Sequence, residues 1–472
     1  MMWRDIRFFN QYFQYFNLLK HMKKHPHLNN KIIIFVFCCF AFCFLPIATQ
    51  AQNKGTCGDS LTWKLRGGVL TISGKGAMYN GSWDSKRDKI RKVIVKEGVT
   101  TIGDEVFIDC FQLDSVSIPN SVTRIGDKAF SGCRQLTTVS IGNSVKRIGD
   151  YAFFDCRQLT SVNIPNSVRA IGNNAFRWCR QLTSVSIGDS VRVIGSLAFH
   201  DCKQLTSIII PNSVIAIGEW LFYGCSQLTS VNIRNSVTTI VRGTFKDCLQ
   251  LRSVNIPDAV TRIESMAFSN CSQLDSINIP ESVTTIINDA FAGCKNLHTV
   301  NFNAINCVVD RYLFEYCKNL KIGKQVKTIP FLGSLRHLTS IDIDIEHPVY
   351  SSQNGVLFDK EKTTLLKYPL GKSDKTYTIP NSVTTIGVEA FFEHSDLTSV
   401  TISDSVTKIE EYAFALCYNL TSIICKSNIP PAINNYTFTK PVRVIVPCGT
   451  LSAYQESNWE KIFTNIIEDC ED

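Results

Sequence analysis

The chain reads as a repeat solenoid, a coil of short parallel strands in which each turn packs on the next. Three regularities point there. Cysteines recur at Cys110, Cys133, Cys156, Cys179, Cys202, Cys225, Cys248, Cys271, Cys294 and Cys317, a constant step of 23 residues. A phenylalanine stands three residues before each of them, from Phe107 to Phe314, and a leucine three after, from Leu113 to Leu320. Two apolar pairs complete each unit, as with Val162/Ile164 and Val168/Ile171, parted by Pro165-Asn166-Ser167. A fixed period of about 20 to 50 residues marks a repeat array. A unit this short cannot bury its own apolar face, so neighbouring units must bury it.

Within a unit, Val162 and Ile164 alternate with polar residues, which places both on one face of a strand. Pro165 has no N–H for a ladder and ends that strand. Val168 and Ile171 form a second extended piece, after which Gly172 releases the backbone into a turn. Phe176 and Cys179, spaced three apart, are expected on one face of a helical turn. Adjacent strands of such a stack lie ~4.8 Å apart.

Along the chain, residues 1–51 are expected to be a signal peptide. Lys23, Lys24 and Lys31 precede an apolar run from Ile32 to Leu45, and small residues ending at Ala51 follow. The run is short for a membrane span, although an uncleaved anchor is the alternative. Met22 is a possible start. Residues 52–89 are read as an N-terminal β cap, with Leu61–Leu65 and Val69–Ser73 as a hairpin turning at Gly67-Gly68. A solenoid end exposes apolar surface and needs such a cover. The regular array is assigned to 90–345, its last unit degenerate. Residues 346–376 are read as a β-hairpin insertion projecting from one face, because Asn354-Gly355 lies between Val349-Tyr350 and Val356–Phe358. Repeats resume over 377–424. Residues 425–472 are a C-terminal cap, with a helix expected from Ser452 to about Phe463.

The formal charge of +8 is concentrated in the leader, since residues 1–52 hold six Lys/Arg and one Asp. The remainder is close to neutral, which excludes a nucleic-acid footprint. No later stretch is apolar for long enough to span a bilayer. The cysteine column is read as packing, because free Cys behaves as a small hydrophobe, and zinc spacing is absent. At Phe391 the pattern places His394 where a Cys is expected, read as a packing variant. Bridge candidates lie outside the column at Cys57, Cys307, Cys425, Cys448 and Cys470, with Cys425–Cys448 the first choice.

The repeated string Ile-Pro-Asn-Ser-Val-x-x-Ile-Gly-x-x-Ala-Phe-x-x-Cys-x-x-Leu-Thr-Ser-Val closely resembles the BspA-like leucine-rich-repeat proteins, which are bacterial surface and secreted proteins also abundant in some protozoan parasites. Gly55–Gly58 with Leu61-Thr62-Trp63 resembles that family's N-terminal module, Tyr350–Tyr368 its hairpin insertion, and Val446–Gly449 with Tyr454 and Trp459 its C-terminal cap. The resemblance implies a leucine-rich-repeat solenoid and adhesion to host proteins or cells. The repeat itself supplies only a scaffold.

Catalytic signatures are missing. The histidines beyond the leader lack metal-ligand spacing, and there is no nucleophile elbow or phosphate loop. No cofactor is expected, and the protein is read as a non-enzyme. Asp342, Asp344 and Glu346 allow a calcium reading but are more simply a solvated face. The stronger candidates are surface columns. Arg134, Arg157, Arg180 and Lys203 follow the ladder cysteines on four successive units, and Arg124, Arg147, Arg169 and Arg192 add charge on the same turns. Stacked, the first set makes a basic strip ~15 Å long, a candidate site for an acidic protein or glycan. Trp178, Trp220 and Tyr223 are candidate interface anchors. The function expected is an exported, non-catalytic scaffold that binds an extracellular protein or glycan. The structural alternative is self-association in the cell envelope.

Overall fold

A computed structural model describes residues 53–470 apart from 80, 310–312 and 330–331. The expected signal peptide lies outside the described residues. From Lys54 onward the chain is a solenoid in which each regular turn carries two short strands. The longer one, typified by Ser161–Ile164, buries Val162 and Ile164 and turns Ser161 and Asn163 to solvent. It pairs in parallel with Ser184–Ile187, and each residue meets the one 23 positions on. The shorter strand is reduced to two residues, such as Ala170–Ile171. Seven of these short pieces, from Gly76–Ala77 to Ala216–Ile217, make one continuous sheet.

The repeated polar residues are consumed in holding turns together. The Asp150 carboxylate accepts from the Asn173 N–H at 2.9 Å, and Asn173 Oδ1 accepts from the Ser196 N–H at 2.9 Å. Thr183 Oγ1 donates to the Thr160 carbonyl at 3.0 Å, one turn back. Ser167 Oγ donates to the Val145 carbonyl at 2.7 Å. Each satisfies backbone groups that a two-residue strand leaves open.

The third side of each turn is not the helical turn expected from the Phe/Cys spacing. Left-handed residues flank the spine phenylalanines from Phe107 to Phe291, as at Glu105 (φ 59) and Asp109 (φ 57) on either side of Phe107. With this arrangement every second N–H points along the stack. Glu105, Phe107 and Asp109 donate to the carbonyls of Asp127, Ala129 and Ser131 at 2.9, 2.9 and 2.8 Å. A helix would turn those donors inward on itself; here they link neighbouring turns. The glycines after the short strand also do something other than expected. Gly172 has no left-handed φ, but a Cβ there would come within 2.5 Å of the Gly149 backbone carbon. It is a close-approach glycine.

The interior is an aromatic spine. Trp83 stacks on Phe107 at 5.3 Å, and the phenylalanines continue ring on ring to Phe291 at 5.0 to 5.8 Å with interplanar angles of 3 to 17°. Offset stacking of this kind contributes about 0.5–1.5 kcal/mol per pair beyond burial. The ladder cysteines line the same core, all buried and unbridged. They also donate: Cys202 Sγ lies 3.3 Å from the Phe176 carbonyl, and Cys225 Sγ 3.1 Å from that of Phe199. The column is therefore both packing and a run of weak S–H donors between turns.

Dedicated segments cover both ends. Leu61–Arg66 and Val69–Gly74 form an antiparallel hairpin, and Val69–Gly74 then pairs in parallel with Lys92–Val95. Its Trp63 meets Trp83 edge-on at 5.9 Å. At the other end Phe438 meets Phe463 edge-on at 4.9 Å, with Tyr454 and Trp459 fully buried beside it. The single helix expected there is two, Leu451–Gln455 and Asn458–Ile462, because Ser457 between them caps the second by accepting from the Trp459 N–H. The expected Cys425–Cys448 bridge does not form. Cys448 pairs with Cys470, and Cys425 is buried against Tyr454, where burial holds its thiol up to about 12.

Residues 346–376 enter the stack instead of projecting from it. Tyr350–Gln353 and Val356–Asp359 pair around Asn354 and Gly355, both with positive φ, as a two-residue hairpin requires. Leu357 packs into the first core, whereas Val356 and Phe358 pack into a second core that runs to Phe463. Tyr368 restarts the spine, 5.1 Å from Phe391, with its hydroxyl donating to Asp374. His394, in the cysteine column, is fully buried against Tyr368, and burial lowers its pKa.

Candidate interaction surface

The residues of the expected basic strip do fall on consecutive turns, but their charge is partly neutralised. Asp155 is nearly buried and lies between two of them, 2.9 Å from Arg134 Nε and 2.7 Å from Arg157 Nε. The Arg134 guanidinium also covers the Phe111 ring at 5.4 Å. Arg180 and Lys203 are exposed and form no ion pair among the described residues. On the short-strand side Arg124 pairs with Asp104 at 2.9 Å, and Arg147 reaches Asp150 at 3.6 Å and Asp127 at 4.0 Å. Exposed pairs like these contribute little to stability, but they remove free charge from the surface.

Asp342 and Asp344 are exposed on and just after the strand Ser340–Ile343 and do not converge with Glu346. Asp342 accepts from Ser340 Oγ, Asp344 from the Glu346 N–H, and Glu346 pairs with Lys324. Among the described residues, the one cluster with metal-ligand proximity is Cys448, Glu468 and Cys470. Its sulfurs are already joined to each other. The calcium reading therefore has no geometric support.

The aromatic candidates gather on the outer side of the turns. Trp178 lies 4.9 Å from Phe154 and 4.8 Å from the Arg177 guanidinium. Two turns on, Trp220 and Tyr223 meet at 5.6 Å, with Arg242 at 5.4 Å over Trp220 and Lys246 at 5.8 Å over Tyr223. His200 lies between, buried edge-on against Tyr223 at 4.7 Å, and burial lowers its pKa. All three anchors are half-buried.

Trp178 departs from the residue types its column carries on the neighbouring turns. The position two residues after each spine Phe is left-handed on nine consecutive turns. Eight carry Asp, Gly or Asn: Asp109, Gly132, Asp155, Asp201, Gly224, Asp247, Asn270 and Gly293. The ninth is Trp178, at φ 66. Larger residues also take this conformation, with Tyr151, Leu197, Trp220 and Met266 two residues before the Phe and Glu393 and Leu416 two after it on later turns. From sequence this tryptophan is visible only as a departure from an Asp/Gly/Asn column.

A family profile described as the BspA type leucine rich repeat region matches in six copies over residues 85–206, 193–321 and 371–464. A leucine-rich repeat protein from Bacteroides ovatus shares 23% identity, with 82% of this chain and 98% of the other covered and a TM-score of 0.53. The pneumococcal vaccine antigen PcpA shares 17% identity over 88% of this chain and 98% of its own, with a TM-score of 0.37. A leucine rich cell surface protein from Faecalibacterium prausnitzii shares 24% over 88% and 94%, with a TM-score of 0.29. No curated protein matches the chain. Among the described residues no helix is long and apolar enough to cross a membrane. With the period, the strand register and the profile in agreement over more than half its length, the chain belongs to the BspA type leucine-rich-repeat family.

Proposed function

We propose that this protein is an exported recognition scaffold that binds another protein through the outer turn surface centred on Trp178. The observation that carries the reading is the cluster of half-buried aromatics and cations on nearby turns, Trp178 against Arg177 and Trp220 with Tyr223 under Arg242 and Lys246. Half-buried Trp and Tyr flanked by Arg form the composition of binding hot spots, and Trp220, Tyr223 and Arg242 extend the patch. Arg180 and Lys203, exposed and without an ion pair among the described residues, give its border a positive sign and favour an acidic partner surface. The basic leader and apolar run before Ala51 support export, in keeping with the surface and secreted proteins this family contains. The repeated polar residues are engaged within the stack, which favours binding over catalysis as the activity.

The test replaces Trp178 with the residue type its column prefers. Trp178→Asn should fold at least as stably as the parent while losing about tenfold or more in affinity for host extracellular proteins captured by the parent protein. Equal capture by parent and variant would remove the proposal.

A further inference from the structure

We propose a second, separate site: an anion-binding column on the short-strand face, built from Lys146, Arg169 and Arg192, that takes a sulfated polysaccharide. The three cations occupy the same position on consecutive turns. Arg169 N–H donates to the Lys146 carbonyl and Arg192 N–H to the Arg169 carbonyl, both at 2.8 Å. All three are exposed. Their neighbours in the adjacent column, Arg124 and Arg147, are matched by Asp104, Asp127 and Asp150. Among the described residues, Lys146, Arg169 and Arg192 have no ion pair. Like charges stacked one rung apart repel, and among the described residues no ion pair offsets this.

Arg169 and Arg192 border an open depression of about 650 Å³, with Asp189, Ser190, Ser213 and Ile215 completing its wall. Ser213 stands out. On other turns the equivalent serine donates to the preceding turn, as Ser167 does to Val145 and Ser282 to Val260. Ser213 Oγ is buried and has no partner. The depression therefore offers two guanidinium groups for an anion and the exposed Ser190 for neutral hydroxyls, with the unpartnered Ser213 Oγ buried in its wall. Asp189, exposed on the same wall, disfavours anions that crowd it.

Spacing argues against an extended acidic peptide. The cations repeat at ~4.8 Å, the rung distance of a parallel sheet. An extended acidic peptide presents side chains to one face only every second residue, about 6.8 Å apart, and falls out of step. A sulfated polysaccharide supplies both anionic groups for the cations and hydroxyls for the polar wall beside them. This face is distinct from the Trp178 surface and does not depend on it.

The test applies the full chain to heparin as the sulfated polysaccharide, with chemically desulfated heparin and poly-glutamate as comparison polymers. The parent should bind heparin in a salt-dependent manner and bind the other two far more weakly. K146Q/R169Q/R192Q should bind heparin about tenfold more weakly, with an unchanged circular dichroism spectrum. R124Q/R147Q, whose charges are already matched, should bind within about twofold of the parent. Trp178→Asn should leave heparin binding intact, so the two surfaces are tested separately. Equal heparin binding by the triple variant and the parent would overturn the proposal. So would poly-glutamate binding as tight as that of heparin, or equal weakening in R124Q/R147Q.

Discussion

Phe222→Ala is the perturbation that tests the aromatic spine most directly. The ring is essentially fully buried and sits between Phe199 at 5.8 Å and Phe245 at 5.7 Å. Removing a buried phenyl costs about 3–5 kcal/mol through lost transfer energy and the cavity left behind. The two lost stacking contacts fall largely within that figure and place this site at its upper end. Because each turn touches only its neighbours, the loss concentrates in the coupling between the turns before and after Phe222. The variant should show a lower urea midpoint by circular dichroism and a transition that no longer coincides between probes. Peptide-resolved hydrogen exchange should show protection falling first between Phe199 and Phe245, with the segments around Trp83 and Trp459 holding longer. Phe222→Leu, which keeps most of the volume, should cost less than half as much. A loss below about 1 kcal/mol with a single coincident transition would refute the spine as the source of coupling.

Other outcomes follow from the same geometry. The buried ladder thiols, with Cys110 and Cys294 each held up to about 12 by burial, should react with a soluble disulfide reagent only as the protein unfolds; fast labelling at pH 8 in native buffer would contradict the packing. Cys448→Ser opens a bridge spanning 22 residues and should cost about 3 kcal/mol, read as a lower thermal midpoint that reducing agent reproduces in the parent. Burial depresses the pKa of His394 in the folded state, so unfolding takes up a proton, and its contribution is intact above the ordinary value of about 6.5 and lost as pH falls below it. His394→Cys, restoring the column residue, should flatten the stability loss between about pH 6.5 and 5 relative to the parent; His200, also depressed by burial, leaves a residual slope. Gly172→Ala should destabilise by more than about 2 kcal/mol despite the absence of positive φ, because its Cβ meets backbone at 2.5 Å.

The amino-acid sequence by itself determined the turn. A step of 23 residues, with Phe, Cys and Leu in phase, leaves one arrangement in which the apolar positions meet, and the parallel register follows from it. Asn354-Gly355 specified its hairpin for an equally local reason, since few other residue pairs accept two positive φ values. Tertiary structure alone decided what depends on the neighbouring turn. Phe and Cys three apart suit a helical turn equally well, and only the next turn's carbonyls, waiting for Phe107 and its flanking donors, pull the segment into left-handed residues on either side of the Phe. The partner of Cys448 was set by how Ile466–Asp469 pairs with Arg443–Pro447, bringing Cys470 to it and leaving Cys425 in the core. The surface charges followed the same logic. Arg134 and Arg192 look alike in sequence, but Asp155 reaches one of them, and no carboxylate among the described residues pairs with the other. Periodicity fixes which residues stack, whereas the reach of side chains across turns fixes which of them remain free to bind.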